Sequence, residues 1–146
     1  TSADMGNAVF VAAMLELPTM AFFTKMSEKI NCGTLIKFSI LMFCVKHALT
    51  YFATNMIMIY LAQVCQMFAY ALFVPASVYY VNEKIAVADR VKGQSLVTTS
   101  MTLSGVFANF AGGIMLDALG VGHVLLAGVV LSIVGAVIVI LTTEKV

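Results

Sequence analysis

Charge is what this chain has least of. Asp, Glu, Lys and Arg make up 10% of its 146 residues, against 62% hydrophobic residues and a mean hydropathy of +1.03. A water-soluble domain of this length needs more polar surface than that to cover itself. The few charges nearly cancel, to +1, and no basic patch is interleaved with aromatic residues, so no nucleic-acid partner is expected. Cysteine is sparse as well. Cys32, Cys44 and Cys65 are odd in number, scattered, and match neither a metal-ligand spacing nor a disulfide framework. They read as small apolar fillers or loop residues. The sequence holds no Ser/His/Asp arrangement, no phosphate-cradling glycine loop and no metal-ligand cluster, so neither an enzyme, a cofactor nor a metal site is expected. No cleavable signal peptide opens the chain, and a start at Thr1 rather than methionine suggests a piece of something longer.

What is present is long apolar sequence. Five spans can be drawn, at about 5–26, 34–52, 55–81, 93–116 and 121–141. Each is long enough to cross a hydrocarbon layer of roughly 30 Å at 1.5 Å per helical residue. Helices are the expected form, because lipid-facing backbone must satisfy its own hydrogen bonds and no barrel-like alternation occurs. The fold class read from the chain is therefore an all-α integral membrane bundle of five helices.

Seven of the eight basic residues fall in alternate gaps between these spans. Lys25, Lys29 and Lys37 lie between the first two, Lys84, Arg90 and Lys92 between the third and fourth, and Lys145 in the tail. The other connections, around Ala53–Asn55 and Asp117–Gly122, carry none. The positive-inside rule then orients the first span inward and puts the C-terminus in the cytoplasm.

Lys46 is the exception, and its one acidic companion inside an apolar run is Glu16. From the span ends, Glu16 stands roughly 15 Å and Lys46 roughly 18 Å from the cytoplasmic boundary. Antiparallel neighbours would bring such depths together, as a salt bridge or around a shared water pocket. Ionisable groups in a bilayer are costly and mark pathways or sites; the plainer reading is mutual neutralisation for assembly. Pro18, two residues beyond Glu16, is expected to kink the first helix. His47 is expected to be peripheral, since adjacent helical residues point in different directions.

Two further faces carry polar groups. Gln63, Gln66 and Tyr70 share one side of the third span, where two amides and a phenol suit a polyhydroxylated or nucleoside-like ligand, or else hydrogen-bond another helix. Gln94, Thr98, Thr102, Gly105, Asn109 and Gly112 form a stripe on the fourth, read either as a tight helix seam or as the lining of a water-filled path with Asn109 as a solute ligand. The fifth span, nearly featureless, reads as lipid-facing scaffold.

Certain segments carry a resemblance. Glu16-Leu17-Pro18, the run Asp89-Arg90-Val91-Lys92-Gly93-Gln94-Ser95, and Gly112-Gly113-Ile114-Met115-Leu116-Asp117-Ala118-Leu119-Gly120 resemble the major facilitator superfamily, nearest to its oligosaccharide and nucleoside proton-symporter branch, which includes lactose permease. The whole chain is similar to helices VIII to XII of that twelve-helix fold. The resemblance implies a sugar- and proton-binding role for Glu16 on helix VIII and for Lys46 on helix IX, where the family usually has arginine. Lysine keeps the charge but loses the planar fork. On helix X the branch's histidine and glutamate are replaced by Gln66 and Ala69, which do not titrate. Lys25, Glu28 and Lys29, with Asp89 and Arg90 at the next inner loop, resemble a worn form of the family's cytoplasmic gating motif; positive-inside anchoring alone is the plainer reading.

The expectation is the C-terminal transmembrane bundle, residues 1–146, of a secondary active transporter in the plasma membrane, working by alternating access. Its partners would be a small polar solute (sugar, glycoside or nucleoside), protons, the lipid bilayer and the N-terminal half of the same transporter. Glu16, Lys46, Gln63, Gln66, Tyr70 and Asn109 are the expected binding residues. The alternatives are an uncoupled facilitator of the same fold or a non-transporting assembly subunit.

Overall fold

The computed structural model describes residues 2–144, with the side chains of 6, 7 and 9–144; Lys145, counted above among the inner charges, lies outside them. The elements are α1 (Ser2–Ser27), α2 (Cys32–Tyr51), α3 (Met56–Lys84), a 3-10 turn at Val87–Asp89, α4 (Arg90–Leu119) and α5 (Val121–Thr142). The described residues form no strand, and each of the five helices is long and apolar enough to cross a membrane.

The basic residues expected between the spans sit mostly on helix ends instead. Lys25 lies in the last turn of α1, Lys37 near the start of α2, Lys84 closes α3, and Arg90 and Lys92 open α4. Their long aliphatic stems let the charged heads reach the interface while the backbone continues helical. Asn31 and Asn55 start α2 and α3, each accepting through its side-chain oxygen from the backbone N–H three residues on, at 2.8 and 3.0 Å. Between α4 and α5 the chain turns on Gly120 alone, at φ 81°, a conformation that side chains disfavour. Pro18 lies inside α1 and a second proline, Pro75, inside α3. Neither can donate, so the carbonyls of Met14 and Ala71 lose their usual helical partners.

Helix α3 is the centre of the bundle. Its contacts with α2 and α1 are the most extensive in the molecule, and α5 packs on the far side of α2. Ala62, Ala69 and Ala76, seven residues apart, are all 0% exposed, and such small residues let helix backbones approach closely where no hydrophobic effect drives them together. Towards the α1–α2 turn, Phe23, Leu35, Ile36, Leu72 and Ala76 form a buried apolar cluster, and Phe23 meets Tyr79 edge-on at 5.3 Å between ring centres. At the same end Lys84 pairs with Glu144, whose backbone N–H donates to the Tyr80 hydroxyl at 3.3 Å. This ties the end of α5 to α3. The hydrogen bond from Lys84, reinforced by its charge, holds the Glu144 carboxyl below its ordinary value.

Helix α4 is the outlier, with no buried residue of its own. It docks at its N-terminal end, where a Cβ on Gly93 would stand 2.5 Å from Ile85 Cδ1 and 2.9 Å from Val81 Cγ1. Gln94 donates to the Val78 carbonyl at 2.9 Å and to Asn82 Oδ1 at 3.4 Å. Farther along, Gly105 and Gly112 face open space, so beyond Gln94 the glycines of the stripe make no tight seam with the other described helices. Helix α5 does more than face lipid: Ala136 is buried, and Cys44 Sγ donates to the Ser132 carbonyl at 3.2 Å.

Candidate functional site

Helix α3 puts an amide where the sequence allowed a salt bridge. Lys46 Nζ, on α2, donates to Gln66 Oε1 at 2.5 Å, and Gln66 Nε2 donates to Glu16 Oε1, on α1, at 3.1 Å. One end of the glutamine accepts from the cation and the other donates to the anion. The amide dipole is thereby aligned between opposite charges, and each bond is charge-assisted. The ion pairs among the described residues are elsewhere, Lys84–Glu144 and Lys92–Asp89, the latter at 2.8 Å.

The three helices that carry this bridge also enclose space beside it. Val9, Ala12, Ala13 and Glu16, on one face of α1, line a cavity of about 380 Å³ together with Lys46, Gln63 and Gln66. The small residues at 12 and 13 leave the room, and Gln63 stands one turn from Gln66 on the same face of α3. A second cavity of about 400 Å³ opens on the other side, lined by Lys46, His47, Thr50 and Gln63 with Val124, Leu125 and Gly128 of α5. Lys46 and Gln63 belong to both.

Of the six expected binding residues, the fold gathers Glu16, Lys46, Gln63 and Gln66. Tyr70, a turn farther along α3, is 39% exposed and lines neither cavity. Asn109 is exposed on α4, also away from them. Among the expected gating residues, Lys25 lies 5.7 Å above the Phe22 ring, Glu28 and Lys29 are exposed on the α1–α2 turn, and Asp89 accepts from Lys92. Arg90 borders a third cavity of about 500 Å³ beside Asn82 and Gln94, and its Nε is buried with no partner among the described residues.

His47 and Gly128 are the residues the sequence reading passed over. His47 is not peripheral: it borders the second cavity beside Lys46, because α5 covers that part of α2. Its room comes from Gly128, where a Cβ would stand 3.3 Å from His47 Cδ2. The available signal was a small residue, Gly128, in a helix of mostly bulky aliphatic side chains, opposite a histidine inside the second span.

Glu16, Gln66 and Lys46, bridged across three membrane-length helices and bordered by two cavities, form a polar cluster within an integral membrane bundle. The chain belongs to the Major Facilitator Superfamily, whose family model matches residues 1–146. No curated protein and no solved structure gives a significant match. Family membership implies membrane transport of a solute.

Proposed function

We propose that the protein is a secondary active transporter of a small polyhydroxylated solute (a sugar, glycoside or nucleoside), coupled to protons and working by alternating access in the plasma membrane. The observation that carries this is the Lys46–Gln66–Glu16 bridge beside its cavity. The bridge offers what a solute's hydroxyl groups need at mid-membrane: a cation with N–H donors to spare, a carboxylate with free lone pairs, and two amides that both donate and accept. Solute hydroxyls would take over the hydrogen bonds that Gln66 makes to Glu16 and Lys46. Alternation would then follow from rocking this bundle against the other half of the transporter, with the C-terminus on the cytoplasmic side.

Gln66 itself favours a second reading, an uncoupled facilitator, because an amide between Glu16 and Lys46 does not carry a proton. The test is external pH during addition of sugars, glycosides and nucleosides to proteoliposomes of the full-length protein, with labelled-solute uptake in parallel. Alkalinisation with uptake supports symport. Uptake with a flat trace selects the facilitator. Uptake unchanged by Glu16→Gln and by Lys46→Gln overturns the site.

A further inference from the structure

The second cavity carries a more specific reading of the solute, one that rests on the transport reading above. Lys46 has three N–H donors and spends one on Gln66. Gln63, bordering the same space, has an amide group to offer. Thr50 contributes only lone pairs, since its hydroxyl donates to the Lys46 carbonyl at 2.8 Å. His47 Nδ1 lies 2.8 Å from the Phe43 carbonyl oxygen. That oxygen can only accept, so Nδ1 carries the hydrogen and Nε2 is left free to take a proton. No carboxylate borders this cavity. Lys46 is its other ionisable group, Glu16 lies one cavity away, and α5 adds Val124, Leu125 and Gly128, none of them ionisable. His47 also borders an apolar groove of about 420 Å³, where α4 supplies Ala108 and α5 no ionisable side chain.

The two cavities that share Lys46 and Gln63 thus differ in chemistry. One has Glu16 to accept from hydroxyls; the other has no carboxylate, and sets the spare N–H donors of Lys46, the Gln63 amide and the imidazole Nε2 around one space. Glu16 and Lys46 already balance each other, so an anion entering this membrane-embedded space needs a new positive charge. We infer that the transported solute is a hydroxylated carboxylate, its hydroxyl end in the Glu16 cavity and its carboxylate between Lys46 and His47, and that His47 Nε2 takes up the accompanying proton. One anion and one proton bind together, the site stays neutral, and both leave together on the other side. Gln66 need not titrate for coupling to occur.

The test uses the full-length protein, with gluconate, glucuronate and glycerate as probes against their neutral counterparts glucose and glycerol. Thermal stabilisation is read in detergent, and uptake with proton co-movement in proteoliposomes. The expected result is that one of the acids binds about ten-fold or more tighter than its neutral counterpart, a margin of about 1.4 kcal/mol. Its affinity should weaken towards about ten-fold per pH unit as pH rises, the slope for one linked proton. His47→Gln should flatten that slope and abolish proton co-movement. If His47→Gln yields no folded protein, Gly128→Ala, which crowds the imidazole, should weaken the acid more than the neutral probe. A neutral probe that binds as well as its acid, no response to any acid, or a pH slope that survives in His47→Gln overturns the inference. Uptake of neutral sugars or nucleosides alone would do so while leaving the transport reading standing; that reading fails separately, on the Glu16 and Lys46 variants.

Discussion

A lysine and a glutamate inside apolar helices each carry a desolvation penalty, and each relieves the other's only through a connection. Here the connection is Gln66, hydrogen-bonded to both. Removing one charge therefore does more than delete a contact: it leaves the other facing an amide in a low-dielectric setting. Glu16→Gln and Lys46→Gln are each expected to lower the thermal midpoint of the full-length protein and its yield as a monodisperse species. The double variant Glu16→Gln/Lys46→Gln, with no charge left to compensate, should recover most of the midpoint and none of the uptake. Size-exclusion profiles after a heating series, with transport assays on the same preparations, separate the two effects. A double variant as unstable as the singles would mean that the amide bridge has no electrostatic role in folding. Both charges and their common depth are legible in the sequence, because depth follows from residue counts along a helix. The bridge is not, because the rotation of α3 that turns Gln66 between them is decided by how Ala62 and Ala69 pack, and no single helix encodes that.

At the scale of elements, spans and their order follow from hydropathy alone, and the helices run past the expected ends both at Lys84 and Arg90, whose stems reach the interface, and at Ser2 and Leu119. Mutual packing was harder to read. The fifth span looked like bare scaffold because valine, leucine and isoleucine carry no direction, yet Gly128 and the Ser132 carbonyl are met by His47 and Cys44 of α2. The fourth span's stripe allowed either a tight seam or the lining of a water-filled path; among the described helices its close approach is made by Gly93 at its start. That approach can be tested directly. Gly93→Val puts a Cβ within 3 Å of Ile85 and Val81 side-chain carbons, and overpacking of this kind costs about 1–3 kcal/mol where neighbours yield only partly. The thermal midpoint should fall. Ile85→Ala in the same chain should restore part of it, since the Ile85 Cδ1 atom makes the closer contact. Gly105→Val, where open space surrounds the glycine, is the comparison. An equal loss at both positions would place the effect of Gly93 in helix propensity rather than in packing.

The whole molecule is held together at one end. Phe23 against Tyr79, the apolar cluster around Leu72, the docking of Gly93 on α3, and the Lys84–Glu144 pair with Tyr80 all join helix ends on the side of the α1–α2 turn. The basic residues at these ends, Lys25, Lys37, Lys84, Arg90 and Lys92, gather on the same side. Cytoplasmic loops are the ones enriched in Lys and Arg, so this end is expected to face the cytoplasm and the turns at Ala53–Asn55 and Gly120 to face outward. Single cysteines in a background with Cys32, Cys44 and Cys65 replaced by alanine would report it. A membrane-impermeant maleimide applied to intact cells should label Thr54→Cys and Ala118→Cys, both exposed positions at the far end. Glu28→Cys and Ala86→Cys, also exposed, should react only after permeabilisation. The reverse pattern would invert the orientation, and with it the direction in which His47 and Lys46 first meet a solute. Labelling of one position from each pair would break the five-span threading itself, since helices packed at a common end cannot have their turns on opposite faces of the bilayer.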